Sequence, residues 1–166
     1  ESIDGDLSGD RFNPTFIDFG LGQNTVINET VDAEIPGGDI DYFTFTVGAG
    51  QWVDSIIIAD TFNPNGGLDM GVFVGLAFDD FFDFNIDDFT GDGLEGFLIT
   101  DFTNVGFESI ETLSGGLTTL GEGDYTLWIQ QGNVDITRVT THINIVPAPS
   151  SLAVLGAMGM MARRRR

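Results

Sequence analysis

The stretch "DYFTFTV", Asp41 to Val47, limits the fold more than any other part of the chain. Phe43, Phe45 and Val47 fall on one phase and Tyr42, Thr44 and Thr46 on the other, a period of two that suits a half-buried strand and no helix. The pattern returns near the C-terminus. In "DYTLWIQQ" (Asp124 to Gln131) Tyr125, Leu127 and Ile129 share a face. In "ITRVTTHINIV" Val139, Thr141, Ile143 and Ile145 point inward, with Arg138, Thr140, His142 and Asn144 outward. "QWVDSIIIA", "DMGVFVGLA" and "GFLIT" are further strand candidates, "TFIDFGLG" and "NTVINETV" weaker ones. The "GAG" between "DYFTFTV" and "QWVDSIIIA" suggests a hairpin. Gly-rich punctuation ("PGG", "NPNGG", "GDG", "SGG", "GEGD") separates the runs, and no helical periodicity precedes residue 150. The expectation is an all-β, antiparallel, jelly-roll-like sandwich over 1–145, then a separate C-terminal segment over 146–166 with a short apolar helix.

Charge narrows the partners. The 166 residues carry a formal net charge of -20, and four of the six basic residues are Arg163, Arg164, Arg165 and Arg166. Residues 1–162 therefore hold all 26 acids against Arg11 and Arg138. Such a body repels phosphate backbones and anionic lipid, which excludes nucleic acid as a partner, and attracts divalent cations. With 42% hydrophobic residues and fifteen phenylalanines there is material for a core, so the charge does not imply disorder. Cysteine is absent, which removes disulfides and thiolate chemistry. A start at Glu1, without methionine or leader, suits a processed secreted protein.

Two acidic loops have calcium-loop spacing. "DGDLSGD" sets Asp4, Asp6 and Ser8 at alternate positions before Gly9 and Asp10; "DFTGDGLE" sets Asp88, Thr90 and Asp92 likewise before Gly93 and Glu95. Oxygen ligands at one, three and five with glycine at six are how a loop wraps Ca²⁺. Thr15 and Ile99 stand where an EF-hand has its twelfth-position glutamate, and no helices flank either loop, so neither is an EF-hand. The alternative is that Asp and Gly simply make surface turns. Catalytic signals are thin. His142 is the single histidine and reads as an outward strand residue, and there is no HExxH, P-loop, dinucleotide fingerprint or nucleophile elbow. Asn28-Glu29-Thr30 matches a glycosylation sequon. The Phe-rich run over 78–89 reads as core filler with its acids turned outward.

The end of the chain has another texture. Val146-Pro147-Ala148-Pro149 and two serines precede Leu152 to Ala162, eleven residues without a charge, and then the four arginines. A bilayer span takes about 20 apolar residues, so the run is short, and the arginines would hold the C-terminus on the cytoplasmic side. Motif, apolar stretch and basic cluster in this order closely resemble the PEP-CTERM sorting signal of Gram-negative and related bacteria, with Ala148 in place of the usual glutamate. The resemblance implies a transient inner-membrane anchor, cleavage near the proline motif by an exosortase-like processing enzyme, and release to the cell surface or medium. A permanent tail anchor is the alternative.

The body resembles a second family. "GDIDYFTFTVGAGQ" and "LGEGDYTLWIQQ" are similar to paired stretches of bacterial pre-peptidase C-terminal-like domains, which are calcium-dependent β-sandwiches. That resemblance implicates Asp39 and Asp41 as ligands, with Asp4, Asp6 and Asp10 as partners. Together the two resemblances imply a secreted, non-enzymatic cell-surface or extracellular-matrix protein, possible contact with extracellular polysaccharide, and possible self-association. The alternatives are a tethered carbohydrate-binding or adhesion module using Trp52 and Trp128 on one exposed face, a hydrolase using carboxylates such as Asp88 and Asp92, and a filament subunit joined through sheet edges.

Overall fold

A computed structural model describes residues 2–5, 7–30, 39–62, 72–84, 94–100, 106, 108–131 and 137–149. They form two sheets packed face to face. One has four strands: β1 (Ser2–Gly5), β3 (Gly22–Thr30), β9 (Thr137–Pro147) and β5 (Gln51–Phe62), in the order β1-β3-β9-β5. The other has five: β2 (Thr15–Phe16), β4 (Ile40–Val47), β8 (Gly123–Gln131), β6 (Val72–Ala77) and β7 (Gly96–Thr100), in the order β2-β4-β8-β6-β7. The all-β sandwich read from the sequence is therefore the fold. Its inner ladders are antiparallel, whereas the two short strands β1 and β2 join β3 and β4 in parallel. Strands this short add few residues of the slightly weaker parallel pairing.

The alternating runs settle as their periodicity requires. Phe43, Phe45 and Val47 of β4, Leu127 and Ile129 of β8, and Val74 and Leu76 of β6 are buried against Val26, Ile56, Ile58, Val139, Ile143 and Ile145 of the opposite sheet. Each large apolar side chain so buried contributes about 1.5–3 kcal/mol relative to exposure. β5 departs from simple alternation. Register shifts between Val53 and Ser55 and between Ile58 and Asp60 let Val53, Ile56, Ile58 and Thr61 all face inward. Each shift restores a phase that strict period two would lose.

The "GAG" turn is not a hairpin. β4 lies in the five-stranded sheet and β5 in the four-stranded one, so residues 48–50 carry the chain across the sandwich. β4 instead pairs with β8, Phe43 opposite Leu127. A single helical turn, α1 (Ile110–Leu113), was also absent from the sequence reading. It buries Ile110 and Leu113 and lies so close to β7 that a Cβ on Gly96 would sit 2.4 Å from the Thr112 carbonyl oxygen.

A second apolar layer covers the outer face of the five-stranded sheet. Residues 78–84 leave β6 and fold back so that Phe82 is fully buried against Tyr42, Ala77 and Trp128, with Phe73, Phe84 and Leu94 around them. The Phe82 ring stands 5.8 Å from Tyr42 and 5.7 Å from Trp128, the latter edge-on. Hydrogen bonds to β8 and to the segment around β2 anchor it, the Arg11 guanidinium on the Asp83 carbonyl among them. The Thr126 hydroxyl donates to the Asp79 carbonyl at 2.8 Å, and the Phe82 N–H donates to the Arg11 carbonyl at 2.8 Å. Asp79, Asp80 and Asp83 stay exposed and Phe82 fills the core as expected, whereas Phe78 is 40% exposed and Phe81 half-buried; 85–89 lie outside the described residues.

Candidate functional site

Inward positions of a sandwich are normally apolar, which makes a polar pair there informative. β3 sends Asn24, Val26 and Asn28 inward and β4 sends Asp41 in beside Phe43, all of them buried. Asn28 and Asp41 meet across the gap between the sheets, where the Asn28 Nδ2 donates to Asp41 Oδ2 at 2.9 Å. Asn28 is fully buried and Asp41 only 1% exposed. Taking a carboxylate this far out of water costs several kcal/mol unless strong partners compensate. The Asn28 Oδ1 is buried with no hydrogen-bond donor among the described residues. A carboxylate beside an uncommitted amide oxygen is a hard, oxygen-only donor pair, the kind that Ca²⁺ accepts.

The other expected ligands are distributed as follows. Asp39 is half-buried, two residues ahead of Asp41. Asp4 lies in β1, whose register sets Gly5 beside Asn28 and Asp4 beside Ile27, so the N-terminal acidic stretch runs along the strand that carries Asn28. Asp10 belongs to a different structure. Its Oδ1 accepts from the Phe12 N–H at 3.0 Å, its N–H donates to the Ser8 Oγ, and its carbonyl accepts from Asn13. These bonds make an Asx turn, the surface-turn use of aspartate and serine. Asp6, Asp88 and Asp92 lie outside the described residues. Among the described residues no three acidic or histidine side chains are grouped so as to hold a metal ion. Asn28 was missed as a site residue because it was read as a sequon. Its signal was its phase: it continues the inward series Asn24, Val26, and a buried Asn requires a partner. Its burial also closes it to glycosylation in the folded protein.

Trp128 and Trp52 do not form an exposed aromatic face. Trp128 is 1% exposed beneath Phe73 and Phe82, and Trp52 is half-buried on the other sheet. His142 sits half-buried on β9 between Thr25 and Ile57.

At the C-terminal end β9 carries Val146 and Pro147 into the sheet, opposite Trp52 and Gln51, and the Ala148 N–H donates to the Gly50 carbonyl at 2.8 Å. Pro147 stands beyond the last β3 partner, Gly22 opposite Ile145, where its missing N–H costs no ladder bond. Pro149 is exposed, and the apolar run and Arg163 to Arg166 lie outside the described residues. No helix among the described residues is long and apolar enough to cross a membrane.

The described residues thus define a two-sheet β-sandwich with a buried Asn–Asp pair between its layers. No family model and no curated protein matches the chain. Among solved structures it is similar to PliG of Salmonella Typhimurium, a periplasmic lysozyme inhibitor of g-type lysozyme, with 18% identity over 80% of this chain and 98% of that one and a TM-score of 0.39.

Proposed function

We propose that the chain is an exported, non-enzymatic cell-surface or matrix protein whose acidic sandwich is the cargo and whose C-terminal segment is its address. The observation that carries this reading is the tail's order: Val146-Pro147-Ala148-Pro149, an uncharged run of eleven residues, then Arg163 to Arg166. The join supports it. The sheet ends at Pro147, so cutting after the motif removes the apolar and basic parts and leaves the last strand whole. A transient inner-membrane anchor and an exosortase-like enzyme follow from the tail's resemblance to a sorting signal. The acidity suits a protein that stays soluble during export and meets cations or polysaccharide outside.

Calcium enters the same proposal at the Asn28–Asp41 pair. The Asn28 Oδ1 and the Asp41 carboxylate would hold the ion, with Asp39, two residues ahead and in the same phase, as a further donor. Bound there, Ca²⁺ would supply positive charge between the sheets and offset the desolvation of Asp41.

The test is the C-terminal peptide mass of the protein recovered from its host's surface or medium. A terminus between Val146 and Ser151 is the expected result; an intact Arg166 overturns cleavage and leaves a tail-anchored protein. Calcium is checked separately by melting in millimolar Ca²⁺ against chelator. Saturation of a site present only in the folded state at a hundred times its Kd adds about 2.7 kcal/mol, and an unchanged Tm removes the metal.

A further inference from the structure

Beside the outer aromatic layer, on the same face of the five-stranded sheet, a solvent-open cavity of about 320 Å³ is built from chemistry that the sandwich itself does not need. Thr44 and Thr46 of β4 and Asp124 of β8 reach it from the sheet, Phe12 and Phe16 from the segment around β2, and Asp80 and Phe81 from the folded-back loop. Phe12 is 56% and Phe16 61% exposed, and both rings line the hollow together with Phe81. Phe12 and Phe81 stand 6.2 Å apart. Among the described residues, three phenyl rings therefore border a hollow whose charged groups are both carboxylates.

Among the described residues the acids are crowded without a cation between them. Asp79 hydrogen-bonds the Asp80 carboxyl and, with Asp124, raises its affinity for a proton above the ordinary aspartate value. Asp124 takes the Thr46 hydroxyl on Oδ1 at 2.6 Å, which orients that carboxylate. Arg11 is the nearby basic side chain, and it is engaged beside the cavity: its guanidinium lies 4.4 Å from the Phe12 ring centre and donates to the Asp83 carbonyl at 3.2 Å. The protein thus already stacks one guanidinium on a ring of this wall.

We propose that this cavity receives an arginine side chain presented by a partner polypeptide, its guanidinium between the Asp80 and Asp124 carboxylates and its flat face on the Phe16 and Phe81 rings. Charge and shape both select that occupant. Phenyl faces and carboxylates attract a cation, and a planar guanidinium, weakly hydrated and with five donors, can stack on the rings and serve two carboxylates together. A compact ammonium does one or the other. A neutral sugar could stack on the rings and hydrogen-bond the acids, but it would leave the two negative charges unbalanced.

The experiment titrates Ac-Gly-Arg-Gly-NH2 into the full chain at about 150 mM salt, where the overall acidity is largely screened beyond about 8 Å, and follows the backbone amide resonances. The matched peptide with citrulline, the neutral isostere, the matched lysine peptide and a neutral trisaccharide are the comparisons. Saturating shifts at Thr46, Asp80, Phe81 and Asp124, with affinity for citrulline and for the Asp80→Asn/Asp124→Asn variant weaker by about tenfold or more, are expected. Phe16→Ala, at an exposed site, should weaken arginine more than lysine. Equal binding of citrulline, preference for the trisaccharide, or shifts spread over the whole acidic surface overturns the proposal. Both asparagine changes are at exposed positions, and an unaltered amide spectrum away from the cavity shows that the variant is folded.

Discussion

The five-stranded sheet is covered on its inner face and on the Tyr42–Trp128 part of its outer face, by two different means. Its inner face is covered by the other sheet, strand against strand, with Phe43, Phe45 and Leu127 at no exposure. Its outer face is covered by one irregular segment, residues 78–84, through Phe82 set over Tyr42 and Trp128. The inner layer is built from strands tied into two hydrogen-bonded sheets, whereas residues 78–84 join no ladder and are held by separate bonds such as those of Thr126, Phe82 and Arg11. Equal burial does not mean equal cooperativity. A segment with few anchors opens locally at less than the global free energy.

Truncations on the two sides break this comparison most directly. Phe45→Ala should cost about 4 kcal/mol, because two sheets cannot collapse onto the void. It should lower the single denaturation midpoint for the whole domain. Phe82→Ala should cost less, about 2 kcal/mol, since the segment can settle inward. Its signature is hydrogen exchange: amides of the 78–84 segment lose protection while those of β9 keep it. If β9 loses protection equally, the outer layer is part of the same cooperative unit and the contrast fails.

The polar pair between the sheets sharpens the contrast from inside. Asp41→Ala removes the acceptor of the buried Asn28 amide and should destabilise by about 1–3 kcal/mol in chelator. On the calcium reading it also abolishes the Ca²⁺-dependent rise in Tm; a rise that survives would move the ion elsewhere. The smallest effect belongs to Asp80. Its carboxyl holds a proton more tightly in the folded protein than the ordinary value of 3.8, because Asp79 and Asp124 crowd it. The folded state therefore binds more protons than the unfolded one just above that value, and stability falls as pH rises through that window. Asp80→Asn should remove this fall and slightly raise Tm at low ionic strength, an effect that disappears in salt.

The inner layer was legible in the sequence because period two reports which side chains share a face, and β4, β8 and β9 follow it without interruption. The outer layer was not. Tyr42 and Trp128 occupy the outward phase, and only a loop without periodicity covers them. Pairing partners were hidden for a similar reason: "GAG" is short enough for a hairpin, yet a sandwich can also cross between sheets there. The site divides in the same way. Asp41 stood out through its resemblance to a ligand stretch, but Asn28 could be recognised only by its phase on β3, and the cavity beside Phe16 needed four separate segments brought together. Spacing along a chain cannot show that.

The position of β9 has a consequence in time. The last strand of the domain lies at the centre of the four-stranded sheet, between β3 and β5, with Gly22 opposite Ile145. A nascent chain cannot complete that sheet until residues 137–147 have emerged, and contacts so distant in sequence form slowly. The body therefore stays unfinished until β9 itself is available, and a chain in that condition can still be threaded in extended form. A chain ending at residue 136 is expected to lack the cooperative melting of the full domain; a truncated protein that melts as one unit would show that the sandwich closes without its final strand.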